Sequence, residues 1–477
     1  MTPSSTPHQR GSTIRSSLIT DTSTSPAPQP RPAAGALALG EQIATGRVDA
    51  VEHCAEALEQ AAAAPTRHAF ILLTRQRAES EAAHSQRRHR HGHPRGPLDG
   101  VPLGWKDLFD VVGTPTTAGS ATRRSAPAAT VDAGAVANAT AAGMVCLGKT
   151  NLSEFAYSGL GLNPTFGTPA NPLAAGAVPG GSSSGSAVAV ATGTLACAVG
   201  TDTSGSVRVP AALCGVVGFA PTSSRISRTG VFPLAPTLDR VGPITRTVAD
   251  AVTLEAVLGG RAPAVPQTGD LPDVEVVVPA GALTKDLDSG VAEGFNAALD
   301  RLERAGVRIR HRPMGVFDEV RRLFAEHGAL VSAEAYRTHA HTVHGAESSL
   351  VDPRVLDRLA EGEAVLRRSY GELLGRRESL CRRADAMLHR TVVVYPTVPI
   401  VAPRVAAVTA SPATYERENR RVLRNTMITS FLNLPSLTLP TGSAPAGAPV
   451  GLSISGASHT DDRLLACASA IEWLLAP

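Results

Sequence analysis

Two clusters of glycine and serine constrain this chain more than any other feature. The first is Gly180-Gly181-Ser182-Ser183-Ser184-Gly185-Ser186. The second is Gly200-Thr201-Asp202-Thr203-Ser204-Gly205-Ser206, which runs on into Val207-Arg208-Val209-Pro210. A small apolar stretch, Ala187 to Val199, joins them and reads as a core helix. Glycine permits tight turns that aim backbone N–H groups inward, and serine supplies nucleophiles and proton relays. Two such loops tied to a buried element predict a site built from serines. A serine hydroxyl is a weak nucleophile without a base, and the clusters contain none. The candidate lies upstream at Lys106, in Gly100-Val101-Pro102-Leu103-Gly104-Trp105-Lys106-Asp107.

With 477 residues, 43% apolar and 18% charged, the chain has the profile of a large globular enzyme. Its net charge of +3 asks for neither nucleic acid nor a membrane surface. The six cysteines are widely spaced, mostly among apolar residues, and read as buried free thiols. No segment reads as a transmembrane helix. Residues 1–33 are rich in Ser, Thr and Pro without an apolar core, so they read as a disordered tail. Arg10 and Arg15 precede the first acid, Asp21, as in a transit peptide, but the cytoplasm is the default expectation.

Residues 34–477 read as one domain in which short strands alternate with helices. Helical spacing of Val51, Cys54, Ala55 and Leu58 predicts a helix over 49–62, and 69–73 a short buried strand. Residues 75–95 are polar and basic, end in a His89-x-His91-x-His93 tract, and read as a solvated surface loop rather than a metal site. Asp132 is placed to cap a helix ending at Gly143, and Thr247 one over 248–258. Residues 261–272 read as a Pro/Gly-rich connecting loop. Further strands are expected at 144–147, 274–278, 307–309, 392–395, 436–440 and 450–455. Residues 315–390 read as an Arg- and Glu-rich helical layer, followed by helices near 414–430 and at the C-terminus. This alternation argues a three-layer α/β/α fold around a mixed sheet.

Two motifs match without their context. Gly143 to Thr150 fits the phosphate-loop pattern, but its four middle residues are apolar and strand-like. Gly181-Ser182-Ser183-Ser184-Gly185 fits a nucleophile elbow, yet the prolines and glycines of 168–180 cannot make the strand that an elbow requires.

Taken in order, the segments resemble the amidase signature family. Gly100 to Asp110 resembles its lysine segment. Gly180 to Ser186 resembles its Gly/Ser segment, with Ser184 where glycine is usual. Thr201 to Pro210 resembles the nucleophile segment, with Ser204 where glycine is usual. Cys214 to Thr222 fits with Ala220 in place of a lysine, and Gly230 to Pro233, Leu238 to Pro243 and Leu434 to Pro440 also fit. The resemblance implies the α/β/α fold with a large mixed sheet and no metal or cofactor. It implies Ser206 as nucleophile, Ser182 after a cis peptide as the bridge, and Lys106 as the base. The N–H groups of Thr203, Ser204, Gly205 and Ser206 would form the oxyanion hole. Ser183, Asp202 and Arg208 are expected to support the loop, the last two as an ion pair. The bland alternative for Lys106 is a pair with adjacent Asp107, and Trp105 and Phe232 could line a pocket or belong to the core. The implied activity is hydrolysis of a small carboxamide or carbamate, with a homodimer as the candidate assembly. The alternatives are a glutaminase-like subunit of a tRNA amidotransferase and a non-catalytic binding protein.

Overall fold

Eleven strands form one mixed sheet in the order β1-β3-β2-β4-β6-β5-β10-β11-β9-β7-β8. They are β1 Phe70–Leu73, β2 Pro102–Lys106, β3 Val145–Thr150, β4 Cys197–Asp202, β5 Val217–Ala220 and β6 Arg240–Thr245. The remaining five are β7 Glu275–Ala280, β8 Ile309–Pro313, β9 Thr391–Pro396, β10 Ser436–Ser443 and β11 Pro449–Ser455. The computed structural model describes Met1 and residues 34–476, apart from 64–65, 264–270, 272 and 444–446. The expected tail at 2–33 and most of the 261–272 loop therefore lie outside the described residues.

Strand β2 runs parallel to both β3 and β4, and β7 runs parallel to β8 and β9. Every other pairing is antiparallel. Helices cover both faces, and the strand alternation shows it. Cys197 and Val199 of β4 pack in a core with Leu103, Trp105 and the helices Ala36–Ala44, Gly134–Ala141 and Val248–Leu258. Between them in sequence, Ala198 faces the opposite core, with the helices Ala50–Ala62, Arg75–Arg90 and Ser184–Ala191. At the other end of the sheet, Val276 and Val278 face the helices Ser289–Arg304 and Asp461–Leu474. Val277 faces the helices Gly315–His327, Leu330–Val343 and Pro353–Met387. The result is the three-layer arrangement expected from the alternation of elements.

Local signals held where a cap or a periodic face carried them. Asp49 caps the helix Ala50–Ala62, and Thr247 caps Val248–Leu258 through the Asp250 N–H. Four readings need correction. Residues 75–90 are helix, not loop: Ala78, Ala82 and Ser85 make a thin buried stripe, and Arg77 pairs with Glu81 and Asp132. Asp132 does not cap the helix Gly134–Ala141, because its carboxylate is held by Arg77 and the Val112 N–H. The stretch 187–199 is part helix and part strand, broken at Gly193, whose φ of +84° suits glycine. The strand expected at 307–309 begins only at Ile309.

Candidate active site

Lys106 is the last residue of β2, and Thr201 and Asp202 end the parallel neighbour β4, with Leu103 opposite Cys197 and Trp105 opposite Val199. Both strands deliver their carboxyl ends to one place, where ligand sites of open α/β sheets form. The Gly181–Ser182 peptide is cis, and the Ser183 N–H donates to the Ser206 carbonyl at 3.1 Å. The two Gly/Ser clusters thus meet beside the lysine.

Lys106 is wholly buried. Its Nζ donates to Ser182 Oγ at 2.7 Å and to Thr201 Oγ1 at 2.9 Å, and among the described residues it touches no carboxylate. The pair with Asp107 that the sequence left open does not form; Asp107 contacts Lys149 Nζ at 2.5 Å instead. Burial disfavours the ammonium form and lowers Lys106 from 10.5 to about 7, with the more distant charges of Asp202 and Asp239 pulling the other way. That value leaves a large neutral fraction near pH 7.

The loop after β4 wraps around Asp202. Its Oδ1 accepts from the Gly205 N–H at 2.8 Å, and its Oδ2 from the Val207 N–H at 3.2 Å. Arg208 closes the wrap with two bonds of 2.9 Å. Burial alone would push Asp202 up, but Arg208 and Arg240 outweigh it and hold the carboxyl well below its usual range. The expected Asp202–Arg208 pair is therefore present and buried. Ser183 Oγ reaches the Thr201 carbonyl at 3.4 Å.

Two details refine the sequence reading. The Gly205 N–H is committed to Asp202, whereas among the described residues nothing accepts from the N–H groups of Thr203, Ser204 or Ser206. No hydrogen bond joins the Ser182 and Ser206 hydroxyls in this structure, although Ser206 faces the same cleft as Thr203 and Ser204. That cleft has a volume of about 410 Å³, suited to a small molecule. Its walls come from the helices Gly315–His327, Pro353–Met387 and Pro412–Phe431, so part of the helical layer lies beside Ser206.

Several site residues escaped the sequence reading. Thr201 is the second partner of Lys106. Asp239 accepts from Thr203 Oγ1 at 2.6 Å, and Thr426 Oγ1 donates to the Ser204 carbonyl at 2.6 Å. Asn419 lines the cleft from a helix. Asp239 lay in a segment already singled out, but nothing local marks Thr426 or Asn419, which arrive from more than 200 residues away. Trp105 is core, packed on Phe109 with ring centroids 5.3 Å apart. Phe232 packs against Phe155 and His339 and does not line the cleft with Ser206. In the phosphate-loop match, residues 145–150 are strand, and Lys149 is bound by Asp107. Among the described residues no group of His, Cys, Asp and Glu is arranged to hold a metal. His89 and His91 instead contact the carbonyls of Asp99 and Arg87.

The Amidase family model matches residues 50–465. A 2-amino-5-chloromuconic acid deaminase from Comamonas testosteroni is 35% identical over 93% of this chain and 97% of its own. An indoleacetamide hydrolase from Pseudomonas savastanoi is 33% identical over 92% and 96%. The A component of the glutamyl-tRNA(Gln) amidotransferase from Roseiflexus sp. (strain RS-1) is 32% identical over 89% and 93%. Among solved structures, one described as an amidase superposes with a TM-score of 0.82 at 32% identity, covering 93% of this chain and all of that one.

Proposed function

Since this chain belongs to the amidase family and is an amidase acting on C–N bonds, we propose that it works through an acyl-enzyme on Ser206, with Lys106 as base and Ser182 as relay. The observation that carries this reading is Lys106 itself: wholly buried, without a carboxylate in contact among the described residues, and hydrogen-bonded to Ser182.

Neutral Lys106 accepts the Ser182 proton while Ser182 takes that of Ser206, and Ser206 Oγ adds to the amide carbonyl. The second transfer requires the Ser206 hydroxyl to turn toward Ser182, a tightening common when substrate binds. The oxyanion is met by the free N–H groups of Thr203, Ser204 and Ser206. Gly205 contributes shape rather than a donor: its φ of +128° lets the loop turn, and a Cβ there would collide with Thr426. The lysinium returns its proton through Ser182 to the leaving nitrogen as the C–N bond breaks. Water then attacks the acyl-enzyme by the same relay, releasing the acid and restoring neutral lysine.

A fluorophosphonate probe with peptide mapping tests the assignment. The probe is expected on Ser206, with Ser206→Ala losing all labelling and essentially all turnover while folding normally. Near-normal turnover in Ser206→Ala would overturn it, as would a probe found on Ser183. Similarity to the amidotransferase component keeps one rival in view, a glutaminase-like member of a larger complex. That rival requires co-purifying partner chains and activity confined to glutamine; the stand-alone reading requires turnover by the isolated chain.

A further inference from the structure

The cleft beside Ser206 carries an excess of positive charge. Six charged side chains line it, and four are arginines: Arg321, Arg358, Arg420 and Arg424, against Glu361 and Glu416. The glutamates are spent. Glu416 contacts Arg358 at 3.2 Å and Arg420 at 2.5 Å, and Glu361 lies 3.9 Å from Arg420. Arg321 leans on exposed Asp286 at 3.4 Å. Arg424 has no carboxylate within ion-pair distance among the described residues. Its guanidinium is held by neutral oxygens: the carbonyls of Lys285 and Asp286 at 2.6 and 3.2 Å and Asn425 Oδ1 at 3.2 Å. Burial, with Arg321 and Arg421 close by, works against its charge, and the more distant carboxylates of Asp286 and Asp288 offset this only in part. A half-buried cation fixed by carbonyls, beside other arginines and with no carboxylate in direct contact among the described residues, can take an anion.

An independent observation shows a place for a ligand oxygen in the same cleft. Asn419 is fully buried and lines the cleft. Its Oδ1 accepts from the Gly159 N–H at 2.8 Å and from Ser158 Oγ at 3.2 Å. A backbone N–H can only donate, so the amide orientation is fixed. That leaves Nδ2 as a donor without a partner among the described residues. A buried amide without its partner is costly, and a substrate oxygen would satisfy it.

Resting on the amidase reading, we infer that the cleft selects amides bearing a carboxylate remote from the scissile bond, and that Arg424 is the residue that meets it. Arg424 is a specificity residue and takes no part in the bond-breaking steps. Apolar cleft residues such as Leu423, Met427 and Phe324 would cover the methylene chain between the two ends.

The test compares kcat/KM for succinamic, glutaramic and adipamic acids with that for butanamide, pentanamide and hexanamide, which have equal carbon counts. A charge-assisted pair to Arg424 predicts an acid-to-neutral ratio of about 10 to 100 for the best-fitting length. The ratio should fall toward one in Arg424→Gln. In the wild type, raising NaCl from 50 to 500 mM should lower turnover of the acid and spare that of the neutral amide. Equal rates for both series would overturn the inference, as would a preference that survives Arg424→Gln or is insensitive to salt. Labelling of Ser206 without cleavage of the acids overturns the inference alone. Absence of both labelling and cleavage removes the amidase reading, and this inference with it.

Discussion

Two lysines on neighbouring strands meet opposite fates. Lys106 on β2 and Lys149 on β3 are both fully buried, and their strands run parallel, with Trp105 opposite Lys149 and Lys106 opposite Thr150. Lys149 contacts the Asp107 carboxylate, whereas among the described residues Lys106 meets only the hydroxyls of Ser182 and Thr201 and a carbonyl. One carboxylate contact distinguishes the surroundings of the two side chains, and burial moves Lys106, which has no such contact among the described residues, down to about 7. Asp107 follows Lys106 directly in the chain, yet its carboxylate goes to Lys149. Two equally buried lysines thus differ in their partners, and under the proposed mechanism the one held by hydroxyls serves as the base.

The sharpest way to break the contrast is to delete each lysine. Lys106→Ala is expected to cut kcat/KM by about 10²–10⁴-fold, the range of a lost general base. Lys106→Arg should not rescue it, because guanidinium keeps its proton. A Lys106→Ala rate within tenfold of wild type would end the assignment.

Lys149→Met should act on stability instead. It strands Asp107 in the core without its partner, and breaking a buried pair in this way costs about 3–5 kcal/mol. Urea unfolding measures that loss, and the double variant Lys149→Met/Asp107→Leu should recover most of it. A single variant as stable as wild type would show that the pair is not what holds Asp107 in the core.

The pH profile comes next in size. Lys106 must be neutral to accept a proton, so kcat/KM should rise about tenfold between pH 6 and 8, through an ionisation near 7 that disappears in Lys106→Ala. The stability sign follows from the same shift. Between about 7 and the ordinary lysine value of 10.5 the unfolded chain binds a proton that the folded chain does not, so stability rises with pH across that window. Below pH 7 both states are protonated, so the slope vanishes and the full cost of the buried ammonium remains. Lys106→Met should flatten the rise. A limb near pH 6.5 that survives Lys106→Ala and disappears with one histidine would replace lysine by histidine as the base.

Thr201→Val carries the smallest expected effect. It removes one of the hydroxyls holding Nζ, a contribution of about 1 kcal/mol, or about fivefold in kcat. An unchanged rate would mean that Ser182 alone positions the lysine.

The site was legible to the extent that its residues sit in short segments with their own chemistry. Lys106, Ser182, Ser206 and the Asp202–Arg208 pair stand in three such segments, and the structure gathers them at the carboxyl ends of β2 and β4. What was missed depends on register and docking. Whether Asp107 or a hydroxyl would meet Lys106 turns on how β2, β3 and β4 align. Thr426 and Asn419 reach the site because one helix packs across it. The helix Arg75–Arg90 was missed because its buried face consists only of small residues, too weak a periodicity to outweigh its charge.

The sequence by itself carried the layered α/β/α architecture and the two Gly/Ser loops, because strand alternation and glycine turns are written within a few residues of where they act, while the family and the expected roles of Ser182 and Ser206 came from the ordered resemblance of its segments to the amidase signature. Tertiary structure alone decided which lysine has no carboxylate in contact among the described residues, which N–H groups of the loop after β4 find no described acceptor, and that Arg424 lines the cleft while held by carbonyls. Those properties are differences between environments, and an environment is assembled from residues that are neighbours only after the chain has folded.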